Sequence, residues 1–189
     1  MDNDIENLAM KWVLDDNPAI LSVKYYCATR DVFQARIDSM IKEMITVKKE
    51  SEGSAYMAGA IAGEIGNNSF DHNIGNWPDT AGIFFGYELN GGVKIVLADR
   101  GRGVMGTLKK VKPEIANEQE ALEAAFFEKI SGRAPEARGN GLKFVRESVA
   151  EEKIHLTFIS GDAKAELDHS FAIAAADQKI HGCLAIINI

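Results

Sequence analysis

The chain has 189 residues, of which 46% are hydrophobic, as expected for a single domain over 1–189 with a substantial core. Its formal net charge of −7 argues against general nucleic-acid binding, because an acidic surface repels phosphodiester backbones. The acidic start of the chain lacks the features of a signal peptide, and no apolar run approaches the roughly 18 residues of a membrane span. We therefore expect a cytoplasmic protein that does not bind membranes.

The only two cysteines, Cys27 and Cys183, are far apart in the sequence. Their spacing matches neither a metal site nor the disulfide framework of a secreted protein. We expect both to be reduced core residues, although the pattern alone leaves a single bridge open.

The hydrophobic pattern predicts helices and strands that do not alternate strictly. An Asn-Gly-Gly turn at 90–92 predicts a hairpin between two of the strands. We therefore expect an α+β fold, a two-layer α/β sandwich with helices on one face of a mixed, mostly antiparallel sheet. The predicted elements are an N-terminal strand and helix within 1–50 (strand 19–27, helix after Thr29), a helix over 54–73, strands over 81–89 and 93–98, helices over 118–129 and 142–151, and strands over 154–160, 170–174 and 183–189.

The helix predicted over 54–73 contains three glycines. Each glycine costs a helix up to about 1 kcal/mol relative to alanine. That cost indicates the close approach of another part of the chain or of a ligand.

The same predicted helix carries Glu64, Asn68 and His72 at intervals of four residues. This spacing places a carboxylate, an amide and an imidazole on one stripe of the helix. Such a stripe can hold a metal ion, order a water molecule or contact phosphate, whereas in isolation it is also typical of a solvated helix face.

A second motif follows the strand predicted over 93–98. Asp99 comes at the strand end, and Gly101 and Gly103 follow it. A carboxylate there can accept a hydrogen bond from an exocyclic amine, and the glycines allow the backbone to approach a flat base or a phosphate.

A third motif, Arg138-Gly139-Asn140-Gly141-Leu142, opens the helix predicted over 142–151. Glycines at a helix start leave backbone N–H groups free, and a helix N-terminus favours an anion.

Taken together, the three motifs resemble the three boxes of GHKL ATPases in their order and in their predicted elements. This ATP-binding (Bergerat) fold is shared by gyrase, heat-shock chaperones, histidine kinases and MutL. The resemblance runs from about residue 54 to the end of the chain. It rests on Glu64–Asn68–His72, Asp99-x-Gly101-x-Gly103 and Gly139-x-Gly141-Leu142.

The resemblance implies a role for each residue of the helical stripe. Asn68 would be a ligand of the Mg²⁺ ion that bridges the phosphates of ATP. Glu64 would be the catalytic residue that polarises an attacking water or hydroxyl. His72 matches a polar position near the phosphates of histidine kinases, where it is not the phosphoacceptor.

The other two boxes would hold the nucleotide itself. Asp99 would accept a hydrogen bond from the adenine amino group, and Gly101 and Gly103 would shape the base pocket. The phosphates would be bound at the glycine box, formed by Gly139, Asn140, Gly141 and Leu142.

The resemblance also implies an ATP lid over 104–138. Arg133 and Arg138 belong to this segment, and either could be a phosphate contact or a solvated loop residue. We favour Arg138, because it is next to the predicted helix N-terminus.

Residues 101–106 also form a literal GxGxxG after a strand, the fingerprint of dinucleotide-binding folds. That fold requires a continuous helix and then a parallel strand. Pro113 interrupts the following segment, and residues 121–129 are helical where a strand should come. We therefore reject this alternative.

The spacing within 121–142 is similar to stand-alone bacterial domains such as anti-sigma-factor serine kinases. The resemblance therefore implies a Mg·ATP-dependent regulatory protein kinase acting on a partner protein. Two alternatives stay open, namely an ATP-gated binding module with little turnover and a degenerate domain that binds no nucleotide. The expected partners are ATP or ADP and a regulatory protein, without nucleic acid or membrane, and homodimer formation is left open.

Overall fold

The computed structural model describes residues 4–128 and 141–189. Helices and strands build one α+β unit around a single seven-stranded sheet, which confirms the expected fold class. The helices are α1 (Ile5–Leu14), α2 (Arg30–Glu43) with a π-helical continuation (Met44–Lys48), α3 (Glu52–Asn73), α4 (Gly103–Leu108), α5 (Glu118–Phe127) and α6 (Gly141–Glu151). The strands are β1 (Tyr26–Cys27), β2 (Ile83–Glu88), β3 (Lys94–Asp99), β4 (His155–Ser160), β5 (Ala163–Leu167), β6 (Phe171–Ala175) and β7 (Cys183–Asn188).

The strands lie in the order β1-β2-β3-β7-β4-β5-β6, and every neighbouring pair is antiparallel. The predicted hairpin is present as β2 and β3. The C-terminal strand β7 inserts between β3 and β4, so that Cys183 pairs with Asp99 on one side and with Ser160 on the other. This register brings three polar or polarisable side chains together at one end of the sheet, on the face that α3 covers.

The main core lies between the sheet and the helices α2, α3, α5 and α6. It is built from side chains that are fully buried, among them Phe33, Ile61, Leu122, Phe126 and Val145. Alternate residues of β3 and β7 point into it because successive strand residues face opposite sides of a sheet.

The opposite face of the sheet is covered by α1, a helix that the predicted elements do not include. Its apolar stripe, formed by Ile5, Ala9, Trp12 and Val13, is at most 4% exposed. These residues pack against β2, β3 and β7. Asp4 begins the helix by accepting a hydrogen bond from the backbone N–H of Glu6.

The strand predicted over 19–27 is wrong for most of its length, because only Tyr26–Cys27 pairs with β2. The preceding residues turn instead, with the carbonyl of Ser22 accepting from the backbone N–H groups of Tyr25 and Tyr26. The Arg36 side chain of α2 donates to the carbonyls of Val23 and Lys24. A long-range side-chain contact thus overrides a local preference for strand.

Both cysteines are free thiols, as expected. Burial raises the pKa of Cys27 to about 11. Burial also raises the pKa of Cys183, with the neighbouring Asp99 adding to the effect.

Candidate functional site

The helix α3 carries the first predicted motif on its second half. Ser51 caps its start by accepting a hydrogen bond from the backbone N–H of Ser54 at 3.1 Å. Glu64 is exposed, and Asn68 and His72 are half-buried. As predicted, these residues follow one another at single helical turns.

The start of α6 lies directly against two of these side chains. A Cβ atom placed on Gly141 would lie 2.7 Å from Oε2 of Glu64 and 3.2 Å from Nδ2 of Asn68. Only glycine fits this contact without displacing them. The structure therefore brings the first motif and the described part of the third motif together, although they are some 70 residues apart in the sequence.

Of the other residues of the third motif, the structure describes only Leu142. Leu142 packs, partly buried, against the main core. Gly139, Asn140 and Arg138 lie outside the described residues, as does Arg133.

Asp99, at the end of β3, is only 2% exposed and accepts several hydrogen bonds. Ser69 donates its hydroxyl to Oδ2 at 2.6 Å, and the backbone N–H of Gly101 donates to Oδ1 at 2.7 Å. Burial nevertheless raises the pKa of Asp99, because desolvation of the carboxylate outweighs these hydrogen bonds.

The glycines that follow Asp99 are held against α3 and β4. Gly101 packs on the side chain of Asn73, whose Oδ1 accepts from the backbone N–H of Arg102 at 3.0 Å. Gly103 has a φ of +69°, a conformation that glycine adopts without strain. The next backbone N–H, that of Val104, donates to Oγ of Ser160 at 2.9 Å.

A small cavity lies beside the Asp99 carboxylate. Its volume is about 10 Å³, roughly that of one water molecule and well below that of a nucleobase. Its lining includes Ile65, Ser69, Leu97, Asp99, Phe158 and Cys183. A base that reached Asp99 would therefore have to part these side chains.

Adjacent residues of α3 connect the two halves of the site. Asn68 faces the start of α6, whereas Ser69 faces Asp99. One helical turn later, Asn73 holds the backbone of the Asp99 loop. The first two motifs and Gly141, from the described part of the third, therefore meet on a single helix.

Several residues of this site were missed by sequence reasoning, namely Ser69, Asn73, Ser160 and Gly182. None belongs to a recognisable local motif, and each acts on a residue at least 29 positions away. The sequence signal that could have drawn attention to two of them is adjacency to the helical motif, because Ser69 follows Asn68 and Asn73 follows His72.

Part of the predicted lid is described. The helices α4 and α5 lie within 104–138 except for the first residue of α4. In α5, Leu122 and Phe126 are fully buried in the main core, where the Phe126 ring packs edge-on against Phe158. The helix α5 is thus an integral layer of the domain.

Comparison with known proteins leaves the family open. The chain matches no protein-family model and no curated protein. Within residues 4–128 and 141–189, no helix is both long enough and apolar enough to cross a membrane. In the same part of the chain, no three His, Cys, Asp or Glu side chains are grouped so as to hold a metal ion by themselves.

Proposed function

We propose that this chain binds ATP together with Mg²⁺ and acts as a regulatory protein kinase on a partner protein. The observation that carries the proposal is that the second motif and Gly141 of the third both meet the first motif on α3. Glu64 and Asn68 meet the glycine that opens α6, while Ser69 and Asn73 organise the loop that begins at Asp99. A resemblance made of short motifs requires such proximity, so the proximity supports the proposal.

The base half of the site suits adenine. Asp99 is a buried carboxylate, so it offers oxygen acceptors in a place where water cannot compete. An exocyclic amine is a donor of matching chemistry. Gly101 and Gly103 allow the loop after Asp99 to pack closely on Asn73 and Ser160, which fixes the backbone beside the carboxylate. The small present volume of the cavity implies that binding is accompanied by local opening.

The phosphate half suits a magnesium-bound polyphosphate. Mg²⁺ prefers oxygen ligands and is commonly held by one or two protein side chains together with the substrate phosphates. Asn68 supplies an amide oxygen and Glu64 a carboxylate beside the start of α6. A magnesium ion held there would neutralise phosphate charge.

The exposed position of Glu64 gives it access to an incoming hydroxyl group. In the transfer step, the acceptor oxygen bonds to the γ-phosphorus and its proton passes to the Glu64 carboxylate. The bond from the γ-phosphorus to the β–γ bridging oxygen breaks, and ADP leaves. Such a reaction depends on positioning and charge neutralisation more than on covalent chemistry of the enzyme.

Calorimetric titration of Mg·ATP and Mg·ADP tests the binding step. We expect the wild type to bind and Asp99→Asn to lose about 1–3 kcal/mol of binding free energy, the loss expected on removing a buried charged hydrogen bond. The matched control is Asp38→Asn, which removes an equal charge from an exposed position on α2 and should bind like the wild type. A wild type that binds neither nucleotide would overturn the proposal.

Transfer is tested separately with ATP labelled on the γ-phosphate and extract of the native host. We expect a phosphoprotein with the wild type, and none with Glu64→Gln at a concentration of Mg·ATP that saturates this variant in the calorimeter. If ATP binds but no phosphoprotein forms, kinase activity is excluded. The ATP-gated binding module then remains, and it requires a partner whose affinity differs between the ATP-bound and the nucleotide-free protein.

A further inference from the structure

Arg100 is a buried cation between Asp99 and the glycines of the second motif. It is 1% exposed, and a charge so deeply buried is tolerated only when it is paired. Asp99 faces α3, whereas the Arg100 side chain reaches the other face of the sheet, where α1 lies.

The partners of Arg100 come from two distant segments. Nη1 donates to the backbone carbonyl of Trp12 near the end of α1, and the guanidinium carbon lies 5.9 Å from the centre of the Trp12 ring. Nε donates to Oδ2 of Asp79 at 2.6 Å, and Nη2 also pairs with this carboxylate. If α1 left the sheet, Arg100 would lose its carbonyl acceptor and its aromatic neighbour together.

A second link joins the end of α1 to the Asp99 site. The carbonyl of Val13 accepts a hydrogen bond from the backbone N–H of His181 at 2.9 Å. The next residue, Gly182, packs so tightly on Asp99 that an added Cβ would lie within 2.6 Å of Oδ1. Cys183 then pairs with Asp99 in the sheet. The end of β3 is therefore bonded to the carbonyl of Trp12 through Arg100, and the start of β7 to the carbonyl of Val13 through His181.

We propose that Arg100 is a positioning residue for the nucleotide site and couples it to the docking of α1. Docked α1 fixes the Arg100 side chain through the Trp12 carbonyl, while Asp79 neutralises its charge. The fixed Arg100 sets the backbone from Asp99 to Gly103 for the base. Nucleotide binding in turn stabilises docked α1, because coupling between two equilibria is reciprocal. A protein that captured the apolar face of α1 would consequently release the nucleotide. This inference rests on the proposed ATP binding.

Hydrogen–deuterium exchange on the wild-type chain, with and without saturating Mg·ATP, tests the coupling directly. We expect ATP to slow exchange in α1, although α1 lies on the opposite face of the sheet from Glu64 and Asn68. The measurement needs no variant, so it decides the matter even if a substitution at Arg100 prevents folding.

Arg100→Met removes the cation at similar volume. We expect it to weaken ATP binding by roughly 5- to 150-fold, the usual range of coupling between sites, and to abolish the ATP-dependent protection of α1. Lys94→Met is the matched control, because Lys94 begins β3, the strand that Arg100 directly follows. Lys94 also ties the start of α1 to the sheet, through Asp4 and Glu6 at 3.3 and 3.2 Å. Both ion pairs of Lys94 are solvent-accessible, so the loss of Lys94 should change ATP affinity less than about fivefold.

Each outcome has a distinct meaning. ATP binding without protection of α1 overturns the coupling and leaves the proposed function intact. Equal affinities of Arg100→Met and wild type also overturn it. A wild type that binds no ATP overturns both proposals, whereas protection that disappears in Arg100→Met supports the coupling.

Discussion

The glycines of α3 allow a prediction that depends only on packing. A Cβ added at Gly66 would lie 2.2 and 2.4 Å from ring atoms of Phe33, which is fully buried. The ring cannot retreat, since it stands edge-on to Phe85 at 5.3 Å and packs against Phe70 at 6.2 Å. At Gly63, by contrast, the nearest atom to an added Cβ is 3.8 Å away.

These distances predict opposite effects for the same substitution. Gly63→Ala should stabilise the protein by up to about 1 kcal/mol through helix propensity alone. Gly66→Ala gains the same propensity, but overpacking a filled core costs about 1–3 kcal/mol or more. We therefore expect Gly66→Ala to unfold more easily than the wild type, and Gly63→Ala to be the more stable variant by roughly 1–3 kcal/mol.

Urea denaturation monitored by circular dichroism, with the slope m checked for equality, measures this difference. If Gly66→Ala proved as stable as Gly63→Ala, the close packing of α3 on Phe33 would be refuted. The inference that these glycines exist for close approach would fall with it.

Three further predictions concern the site and its surroundings. In Gly141→Ala, the added Cβ must displace the flexible end of Glu64, so calorimetry should show weaker Mg·ATP binding while the melting temperature stays within a few degrees of wild type. Leu122→Ala should lower the free energy of unfolding by about 2–5 kcal/mol, as for a buried leucine, whereas near-neutral stability in urea would mean that α5 is a loose cover. Because burial raises the folded-state pKa of Asp99, its ionisation opposes folding. The stability advantage of Asp99→Asn over wild type should therefore grow as pH rises above about 4, the unfolded value, until the folded pKa is passed. A gap that does not change with pH in urea titrations would contradict this reasoning.

Local sequence determined much of the fold and the motif-bearing part of the candidate site. The helical period around Glu64 predicts α3, and the Asn-Gly-Gly turn at 90–92 predicts the hairpin of β2 and β3. Asp99 and Gly141 were identified as site residues from the short motifs around them. These features depend on neighbours within a few positions, which is the range over which helical period, turn chemistry and capping operate.

Elements whose form depends on distant partners were predicted poorly. Residues 19–25 have the composition of a strand, but Arg36 binds their backbone and holds a turn. The helix α1 has a regular apolar stripe in the sequence. Where that stripe is buried depends on the sheet, whose face opposite α3 receives it. The strand β5 alternates between buried and partly buried residues, and it too was missed.

Only the tertiary structure decided how the site is assembled. Asp99 could be read as an acceptor from its place after a strand, but its donor Ser69 is 30 positions away and its strand partner Cys183 is 84 positions away. The local sequence does not mark Arg100 as a buried residue, whereas the structure buries it beside Trp12. Sequence determines which side chains are available and which local backbone they favour. The order in which the strands pair determines which of them meet, because each contact closes a long loop and depends on the whole sheet being formed.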